Sequence, residues 1–258
     1  MLSIDLNCDM GEGFSVYKIG DDEQVMPYIT SANIACGFHA SDPVNMWKTV
    51  KLAARHGVAI GAHPSYPDLV GFGRRAMDAT LDEISADVTY QIGALAAFCR
   101  REGVRLQHVK AHGALYNKAV DNHSVATAIA QAIKAVDAEL TMVCLSNSTM
   151  VTAAQQVGVP YVEEVFADRA YTHEGKLAPR GSEGAVLHDP EVIAQRVLNM
   201  VREKIVVAID GTKIPLKAQT ICVHGDSTGA FEMIKAIRSK LEGGNVALKP
   251  FGHYLHSS

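Results

Sequence analysis

Short apolar runs that alternate with longer helical patterns are the feature that most constrains how this chain can fold. The runs lack a clean apolar–polar alternation, which is typical of strands that are covered on both faces. Seven of them are predicted as strands: Ser3–Asn7, Ser31–Ala35, Val58–Ala62, Leu106–Lys110, Leu140–Leu145, Tyr161–Phe166 and Thr220–His224. Strands separated by helices form right-handed β-α-β units, so the pattern indicates a mostly parallel sheet covered by helices.

The segments between the strands carry the signals of helix starts and stops. The predicted helices are Pro43–His56, Thr80–Glu102, Val125–Val136, Thr149–Val157, Pro190–Glu203 and Gly229–Leu241. Asp42 precedes the first of them as an N-cap residue. Gly57, Gly103 and Gly158 each follow a helix directly and precede a strand, which is the position of a left-handed C-cap.

Seven strands are one short of a complete eight-stranded β/α barrel. An irregular, seven-stranded β/α barrel is therefore our first expectation, and an open doubly wound sheet is the second. The sequence contains no Pro- or Ser-rich linker and no repeat, so we expect residues 1–258 to form a single catalytic domain. Two segments are expected to decorate a rim, the polar Ala170–His188 and a hairpin at Val206–Pro215 with Asp210 and Gly211 in its turn.

Composition and charge narrow the class of protein. Hydrophobic residues make up 48% and charged residues 20% of the 258 positions, as in a soluble globular enzyme. The net charge of −4 is spread without long runs, which argues against binding to nucleic acid. We expect no signal peptide and no membrane span, since no stretch approaches about 20 apolar residues. Five scattered cysteines without a CxxC pair indicate a reducing cytoplasm and buried thiols.

Polar motifs follow six of the seven predicted strands, at the carboxyl ends where parallel α/β folds gather their reactive groups. Each of these residues taken alone is as readily a loop or cap residue. Because ionisable side chains follow six strands at the same edge of the predicted sheet, we expect a single site at that edge. The candidate residues are Asp5, Asn7, Asp9, Glu12, His39, His63, Arg74, Lys110, His112, Asn117, Arg169, Arg180, His224 and Asp226.

The residue types limit the chemistry of such a site. Asp5, Asp9 and Glu12 are close in sequence, so their mutual repulsion is expected to raise the pKa of one carboxyl and make it a general base. Asp9 with His39 and His63 would equally form a metal site that activates water. The basic residues that would neutralise a phosphate or a substrate carboxylate are Arg74, Arg75, Lys110, Arg169 and Arg180. Surface solvation is the alternative for the arginines.

One segment of the chain matches a nucleophile motif. Gly225–Gly229 matches GxSxG between a strand and a helix, as a nucleophile elbow does. In that fold the acid and the histidine follow the serine, but only 258 − 229 = 29 residues remain. An N-cap for the following helix explains the segment better. No P-loop, GxGxxG or HExxH pattern occurs.

Four long blocks resemble the motifs of the LamB/YcsF family. They read DLNCDMGEGF, NIACGFHASDP, GAHPSYPD with GFGRR, and VKAHGALYN, and they stand in the order of that family. With FADRAY, LAPRG and CVHGD, the resemblance spans nearly the whole chain. It implies an irregular β/α barrel related to glycoside hydrolases and deacetylases.

The resemblance also implies an activity, the ATP-dependent opening of 5-oxoproline (pyroglutamate) to L-glutamate with release of ADP and phosphate. It implies that this activity requires subunits B and C of a 5-oxoprolinase. ATP is the expected cofactor, and a divalent metal such as Mg²⁺ and a homo-oligomeric state are left open. Because no P-loop places the nucleotide, the phosphorylation step could belong to this chain or to a partner.

This activity fits the candidate residues. A five-membered lactam is a poor electrophile, but phosphorylation of its carbonyl oxygen would let water attack, after which the ring nitrogen must leave protonated. We assign the base to the Asp5, Asp9 and Glu12 group, and proton transfer to His63 or His112. His39 is a further catalytic candidate. The residues assigned to substrate or phosphate are Asn7, Arg74, Lys110, Asn117, Arg169, Arg180, His224 and Asp226.

Two other functions remain open at this point. A metal-dependent amide or sugar deacetylase would use the same residues, but its hydrolysis would proceed without ATP and stop on chelation. A non-catalytic subunit that delivers the lactam to its partners would leave 5-oxoproline unchanged under any reconstitution.

Overall fold

Seven parallel strands close into a barrel in residues 2–224 and 229–251, the part of the chain that the computed structural model describes. The described residues form ten strands in all: β1 (Leu2–Met10), β2 (Ser31–Ala35), β3 (Ala59–His63), β4 (Leu106–Val109), β5 (Thr141–Leu145), β6 (Tyr161–Phe166), β7 (Ile205–Val207), β8 (Lys213–Pro215), β9 (Thr220–Val223) and β10 (Val246–Leu248). The barrel order is β1 to β6 followed by β9, and pairing of β1 with both β2 and β9 closes the ring. The predicted irregular seven-stranded β/α barrel is confirmed.

Helices pack around the outside of the barrel. They are α1 (Asp22–Val25), α2 (Pro43–His56), α3 (Leu81–Arg101), α4 (Gly113–Asp121), α5 (His123–Val136), α6 (Thr149–Val157), α7 (Pro190–Glu203) and α8 (Ala230–Gly243). The Asp42 carboxylate accepts hydrogen bonds from the first amides of α2, and Gly57 ends that helix with a φ of 65°. Gly103 and Gly158 are also left-handed, as predicted. None of the described helices is long and apolar enough to cross a membrane.

Three of the labelled elements were not predicted from the sequence: α1, α4 and β10. Helix α4 begins at Gly113, whose φ of 57° turns the chain directly after His112. Strand β10 is three residues long and pairs with the start of β1, where Leu2 lies opposite Val246. Helix α1 and strand β10 are too short for a periodic pattern, with four and three residues, and α4 begins without a capping side chain.

The two rim segments differ in regularity. The predicted hairpin is confirmed, because β7 and β8 pair antiparallel with Val206 opposite Ile214, and Gly211 has a φ of 87° in the turn. The segment Ala170–His188 contains only isolated bridges, one of which joins Tyr171 to Leu177. It runs over the carboxyl end of the barrel.

The residues that face the inside of the barrel are polar, whereas those on its outer surface are apolar. Along β1 the residues that face the helices are apolar, whereas the alternating Asp5, Asn7 and Asp9 face inward and bond to side chains of other strands. All three are buried. Buried polar groups must be hydrogen-bonded, so the strand order fixes a network inside the barrel.

Candidate active site

Four buried side chains meet at the carboxyl end of the barrel. Glu12 follows β1, His39 follows β2, His63 ends β3 and His112 follows β4, and we call these four residues the histidine cluster. One ligand atom from each lies within 4.8 Å of the others. Glu12 Oε1 is 3.4 Å from His39 Nε2 and 3.9 Å from His112 Nδ1. His63 Nε2 is 3.0 Å from His112 Nδ1.

The outward nitrogen of each imidazole has a protein partner. His63 Nδ1 lies 2.6 Å from the carbonyl oxygen of Lys110, and His112 Nε2 lies 2.9 Å from that of Phe72. His39 Nδ1 lies 3.0 Å from Ser65 Oγ, which itself donates to a backbone carbonyl. These contacts fix the orientation of all three rings.

The loop after β3 packs tightly against two of the histidines. The rings of His39 and His112 are stacked, with centroids 3.7 Å apart and planes 4° apart. Gly73 has a φ of 64°, and a Cβ there would lie 2.8 Å from His39 Cβ and 2.9 Å from His112 Cδ2. Phe72 also has a positive φ, of 55°. Only glycine fits at position 73 without displacing the stacked rings.

A buried ion-pair network lies beside the cluster. Lys110 Nζ is 3.2 Å from Asp9 Oδ1 and 2.9 Å from Glu164 Oε1. Burial alone would raise the pKa of Asp9, but the facing His63 and Lys110 hold it well below its usual range. Burial alone would lower the pKa of Lys110, but Asp9, Cys222 and Glu164 hold it well above its usual range. Asp9 is therefore an anion and Lys110 a cation.

A cavity of about 510 Å³ opens above this network. Asp9, His63 and His112 form one side of it, so the cavity and the histidine cluster share two imidazoles. The other basic and amide residues that line it are Arg74, Lys110, Asn117, Arg169, Lys176, Arg180 and His224. Glu12 and His39 belong to the cluster without lining the cavity.

A further histidine is held between an acid and a base. His224 Nδ1 donates to Asp168 Oδ2 over 2.9 Å, and a guanidinium nitrogen of Arg180 lies 3.0 Å from His224 Nε2. Burial alone would raise the pKa of Asp168, but His224 and Arg180 hold it below its usual value. Arg169 instead donates to the carbonyl oxygen of Ala178 and so anchors the rim segment.

The expectation that Asp5 joins Asp9 and Glu12 is corrected by the structure. Asp5 lies inside the barrel and accepts hydrogen bonds from the hydroxyls of Thr30, Ser31 and Thr220. Four residues along a strand span roughly 13 Å, so Asp5 and Asp9 lie at different levels of the barrel. The pKa of Asp5 is raised to about 6, but the main cause is burial rather than repulsion by Asp9 or Glu12.

Asn7 is also placed away from the cavity. Its amide nitrogen donates to Glu164 and Thr220, and its oxygen accepts from Asn33 and Lys110. These contacts make Asn7 part of the barrel network rather than a substrate-binding residue. Asp226 and the motif that contains it reach into residues 225–228, which lie outside the described residues.

Sequence reasoning missed several residues of the site. Tyr116 donates to Glu164 Oε2 over 2.9 Å, and Ser65 and Phe72 hold two of the histidines. Glu164 stands in the apolar strand YVEEVF, where a buried carboxylate indicates a cationic partner. The other partner contacts come from chain segments remote in sequence and leave no local signal.

Two groups of residues could hold a metal ion, the histidine cluster and a group of Asp9, Cys222 and His224. In the second group burial raises the pKa of the Cys222 thiol well above its usual value, and Lys110 Nζ lies 2.9 Å from its sulfur. A neutral thiol beside an ammonium group is a poor cation site. Of the three ligands expected from the sequence, His39 and His63 therefore belong to the histidine cluster and Asp9 to the second group.

Comparison with known proteins agrees over almost the full length. The model of the LamB/YcsF family matches residues 4–256. The 5-oxoprolinase A subunit of Clostridium beijerinckii is 52% identical over 250 residues, which cover 97% of this chain and 98% of that protein. The 5-oxoprolinase A subunit of Pyrococcus abyssi is 51% identical over 254 residues, which cover 98% of this chain and 100% of that protein.

A solved structure agrees equally well. The lactam utilization protein from Thermus thermophilus has a TM-score of 0.92 and 46% sequence identity to this chain. The match covers 96% of this chain and 99% of that protein.

Proposed function

Because this chain belongs to the LamB/YcsF family, we propose that it is the A subunit of a 5-oxoprolinase, a hydrolase that opens 5-oxoproline to L-glutamate with hydrolysis of ATP. The observation that carries this proposal is the cavity of about 510 Å³, which has a carboxylate and imidazoles on one side and basic groups on the other. A lactam that carries its own carboxylate needs basic groups to bind that carboxylate and proton-transfer groups to open its ring.

The basic side supplies the binding groups. Arg74 and Arg180 are exposed where they line the cavity, so their guanidinium groups are placed to bind the substrate carboxylate or a phosphate. Lys110 is buried at the base of the cavity between two carboxylates. It holds Asp9 in place and adds positive charge where an oxyanion would develop.

The acidic and imidazole side supplies proton transfer. Asp9 has too low a pKa for a strong base, so its role is to stabilise the positive charge on His63 once Nε2 of that ring, 3.4 Å from Asp9 Oδ2, takes up a proton. Burial and the neighbouring His63 lower the pKa of His112 well below its usual value, which keeps this ring neutral. We assign the proton from water and the proton for the leaving nitrogen to His63 and His112.

The proposal includes ATP, the Mg²⁺ that accompanies its phosphates, and subunits B and C. The sequence has no P-loop, so the nucleotide is assigned to the complex rather than to a particular polypeptide. The described cysteines are all unpaired and buried, which supports a reducing cytoplasm.

The test is to incubate the purified chain, alone and with subunits B and C, with 5-oxoproline and ATP, and to measure glutamate and ADP together. We expect coupled release only in the reconstituted complex. Asp9→Ala and His63→Ala should abolish turnover while the circular dichroism spectrum stays unchanged. Near-normal rates in either variant would refute the site assignment.

One specific observation favours a second candidate function. The convergent imidazoles of the histidine cluster resemble a metal centre, which would suit a metal-dependent amide hydrolase. Hydrolysis without ATP that stops on chelation would establish this function in place of the first. Binding of 5-oxoproline without any turnover in the complex would instead indicate a non-catalytic subunit.

A further inference from the structure

No choice of tautomers for the neutral imidazoles of the histidine cluster avoids repulsion between lone pairs. His63 Nδ1 and His112 Nε2 face backbone carbonyl oxygens at 2.6 and 2.9 Å, so both nitrogens must carry the hydrogen and donate it. The inner nitrogens of these neutral rings then present lone pairs to each other over 3.0 Å. Two lone pairs at this distance repel.

Placing the hydrogen on the other nitrogen of either ring creates a different repulsive contact, with a backbone carbonyl oxygen. If His112 carried its hydrogen on Nδ1, its Nε2 lone pair would face the carbonyl oxygen of Phe72. If His63 carried its hydrogen on Nε2, its Nδ1 lone pair would face the carbonyl oxygen of Lys110. A doubly protonated ring would place a positive charge on a buried side chain, which is costly. Each neutral arrangement therefore leaves one close repulsive contact.

The remaining members of the cluster point to the same place. His39 Nε2 is fully buried and makes no hydrogen bond with any residue that the structure describes. Ser65 Oγ already donates its hydrogen to the Tyr66 carbonyl oxygen, so His39 Nδ1 must donate to Ser65 Oγ. His39 Nε2 therefore carries a lone pair. Glu12 Oε1 lies 3.4 Å from this nitrogen and adds negative charge. Three lone pairs and a carboxylate thus converge on one point.

We propose that the histidine cluster binds a divalent transition-metal ion, with Glu12, His39, His63 and His112 as its ligands. Neighbouring ligands around an ion with bonds of about 2.0–2.1 Å lie roughly 2.9–3.4 Å apart, depending on geometry. The separations of 3.0 and 3.4 Å fall in this range, and 3.9 Å lies just above it. Metal-bound histidines usually donate a hydrogen bond from the outward nitrogen to a carbonyl, carboxylate or water, as His63 and His112 do here.

The donor set selects the class of ion. Three imidazoles and one carboxylate suit Zn²⁺, Co²⁺, Ni²⁺ or Mn²⁺, whereas Mg²⁺ and Ca²⁺ prefer ligands that are all oxygen. Asp9, a metal ligand in the sequence hypothesis, is not assigned as one here, because it lies outside the histidine cluster and its Oδ1 accepts hydrogen bonds from Lys110 and Asn33. The ion of this site is therefore separate from any Mg²⁺ bound with ATP. When bound, it would occupy the inner nitrogens of His63 and His112 and would supply an activated water in place of the proton transfers proposed for these two rings. Its binding is measured without substrate, so a failure of metal binding and a failure of the lactam proposal are distinguishable.

The test uses the purified full chain after chelation and dialysis. Titration with Zn²⁺, Co²⁺ and Mg²⁺ is followed by calorimetry, the melting temperature and the visible spectrum of Co²⁺. We expect one equivalent of Zn²⁺ or Co²⁺, a higher melting temperature and the d–d bands of nitrogen and oxygen ligands, with no effect of Mg²⁺. Absence of Zn²⁺ and Co²⁺ binding would overturn the proposal.

Three variants and a control identify the ligands. Glu12→Gln and His63→Asn should weaken Zn²⁺ binding by more than about 100-fold, because loss of an outer partner alone costs about 10–100-fold. Ser65→Ala removes only the partner of His39 Nδ1 and should weaken binding about 10-fold. His56→Asn changes an exposed histidine at the end of α2 and should bind like the wild type. Equal Zn²⁺ affinity in all four variants would overturn the ligand assignment. If Glu12→Gln and His63→Asn do not fold, an unchanged affinity in Ser65→Ala would overturn it.

Discussion

Replacing Gly73 by alanine perturbs the packing of the histidine cluster without removing any of its polar atoms. The added Cβ would lie 2.8 Å from His39 Cβ and 2.9 Å from His112 Cδ2. Both distances are shorter than side-chain carbon atoms tolerate. The rings cannot simply retreat, because Ser65 Oγ and the Phe72 carbonyl hold their outward nitrogens.

The size of the effect follows from two contributions. The left-handed backbone, with a φ of 64°, costs an alanine about 1–2 kcal/mol. Overpacking against a buried group adds about 1–3 kcal/mol. We therefore expect Gly73→Ala to lower the free energy of unfolding by about 2–5 kcal/mol.

Gly57 provides a matched control. Its φ of 65° is almost the same, but a Cβ there would meet no atom within 4 Å. Gly57→Ala should therefore lose only the backbone contribution of about 1–2 kcal/mol. Urea denaturation of both variants and the wild type gives the two free-energy differences directly, provided that the m-value is unchanged.

The comparison also has a functional readout. We expect Zn²⁺ affinity to fall in Gly73→Ala and to stay unchanged in Gly57→Ala, since only the first variant displaces two proposed ligands. Equal losses of stability in the two variants would mean that the loop moves away freely. That result would refute the reasoning that this glycine clamps the stacked histidines.

Three further perturbations test the barrel network and the cavity. Lys110→Met leaves Asp9 and Glu164 buried without their cation, so the free energy of unfolding at pH 7 should fall by about 3–5 kcal/mol in urea denaturation; a loss below about 1 kcal/mol would contradict this. Burial raises the pKa of Asp5 from 3.8 to about 6, so the stability from its protonated form is present below pH 3.8 and lost as pH rises through about 6. Asp5→Asn should remove up to about 3 kcal/mol of this decline, and parallel stability curves for variant and wild type between pH 4 and 7 would show that Asp5 does not cause it. Arg180→Met should raise KM for 5-oxoproline by about 10–100-fold in the reconstituted complex with a smaller change in kcat, because a charged hydrogen bond contributes about 1.5–3 kcal/mol; an unchanged KM would exclude Arg180 from substrate binding.

The convergence of the candidate residues was predictable because parallel strands bring their carboxyl ends to one edge. His39, His63 and His112 follow three neighbouring strands, so their convergence required only the correct strand assignment. The caps at Asp42 and Gly57 were predictable for a similar reason, since each acts within a few residues of its own helix.

The depth of each residue in the barrel was not predictable in the same way. Asp5 and Asp9 are close in sequence and share one face of β1, yet the strand separates them by four residues of rise. The partners of Asp5 come from β2, β9 and the turn before β2, which sequence distance does not reveal. The tautomers of His63 and His112 depend on carbonyl groups that only the folded chain brings into place.

The histidine cluster and the cavity are physically coupled because they share two histidines. His63 and His112 belong to both, whereas Glu12 and His39 belong only to the cluster. The carbonyl group that orients His63 is that of Lys110, whose ammonium group binds Asp9 on the cavity side. A displacement of Lys110 would therefore reach the cluster through its backbone and the cavity through its side chain. The geometry of the proposed metal site and the electrostatics of the proposed lactam site thus depend on one residue at the carboxyl end of β4.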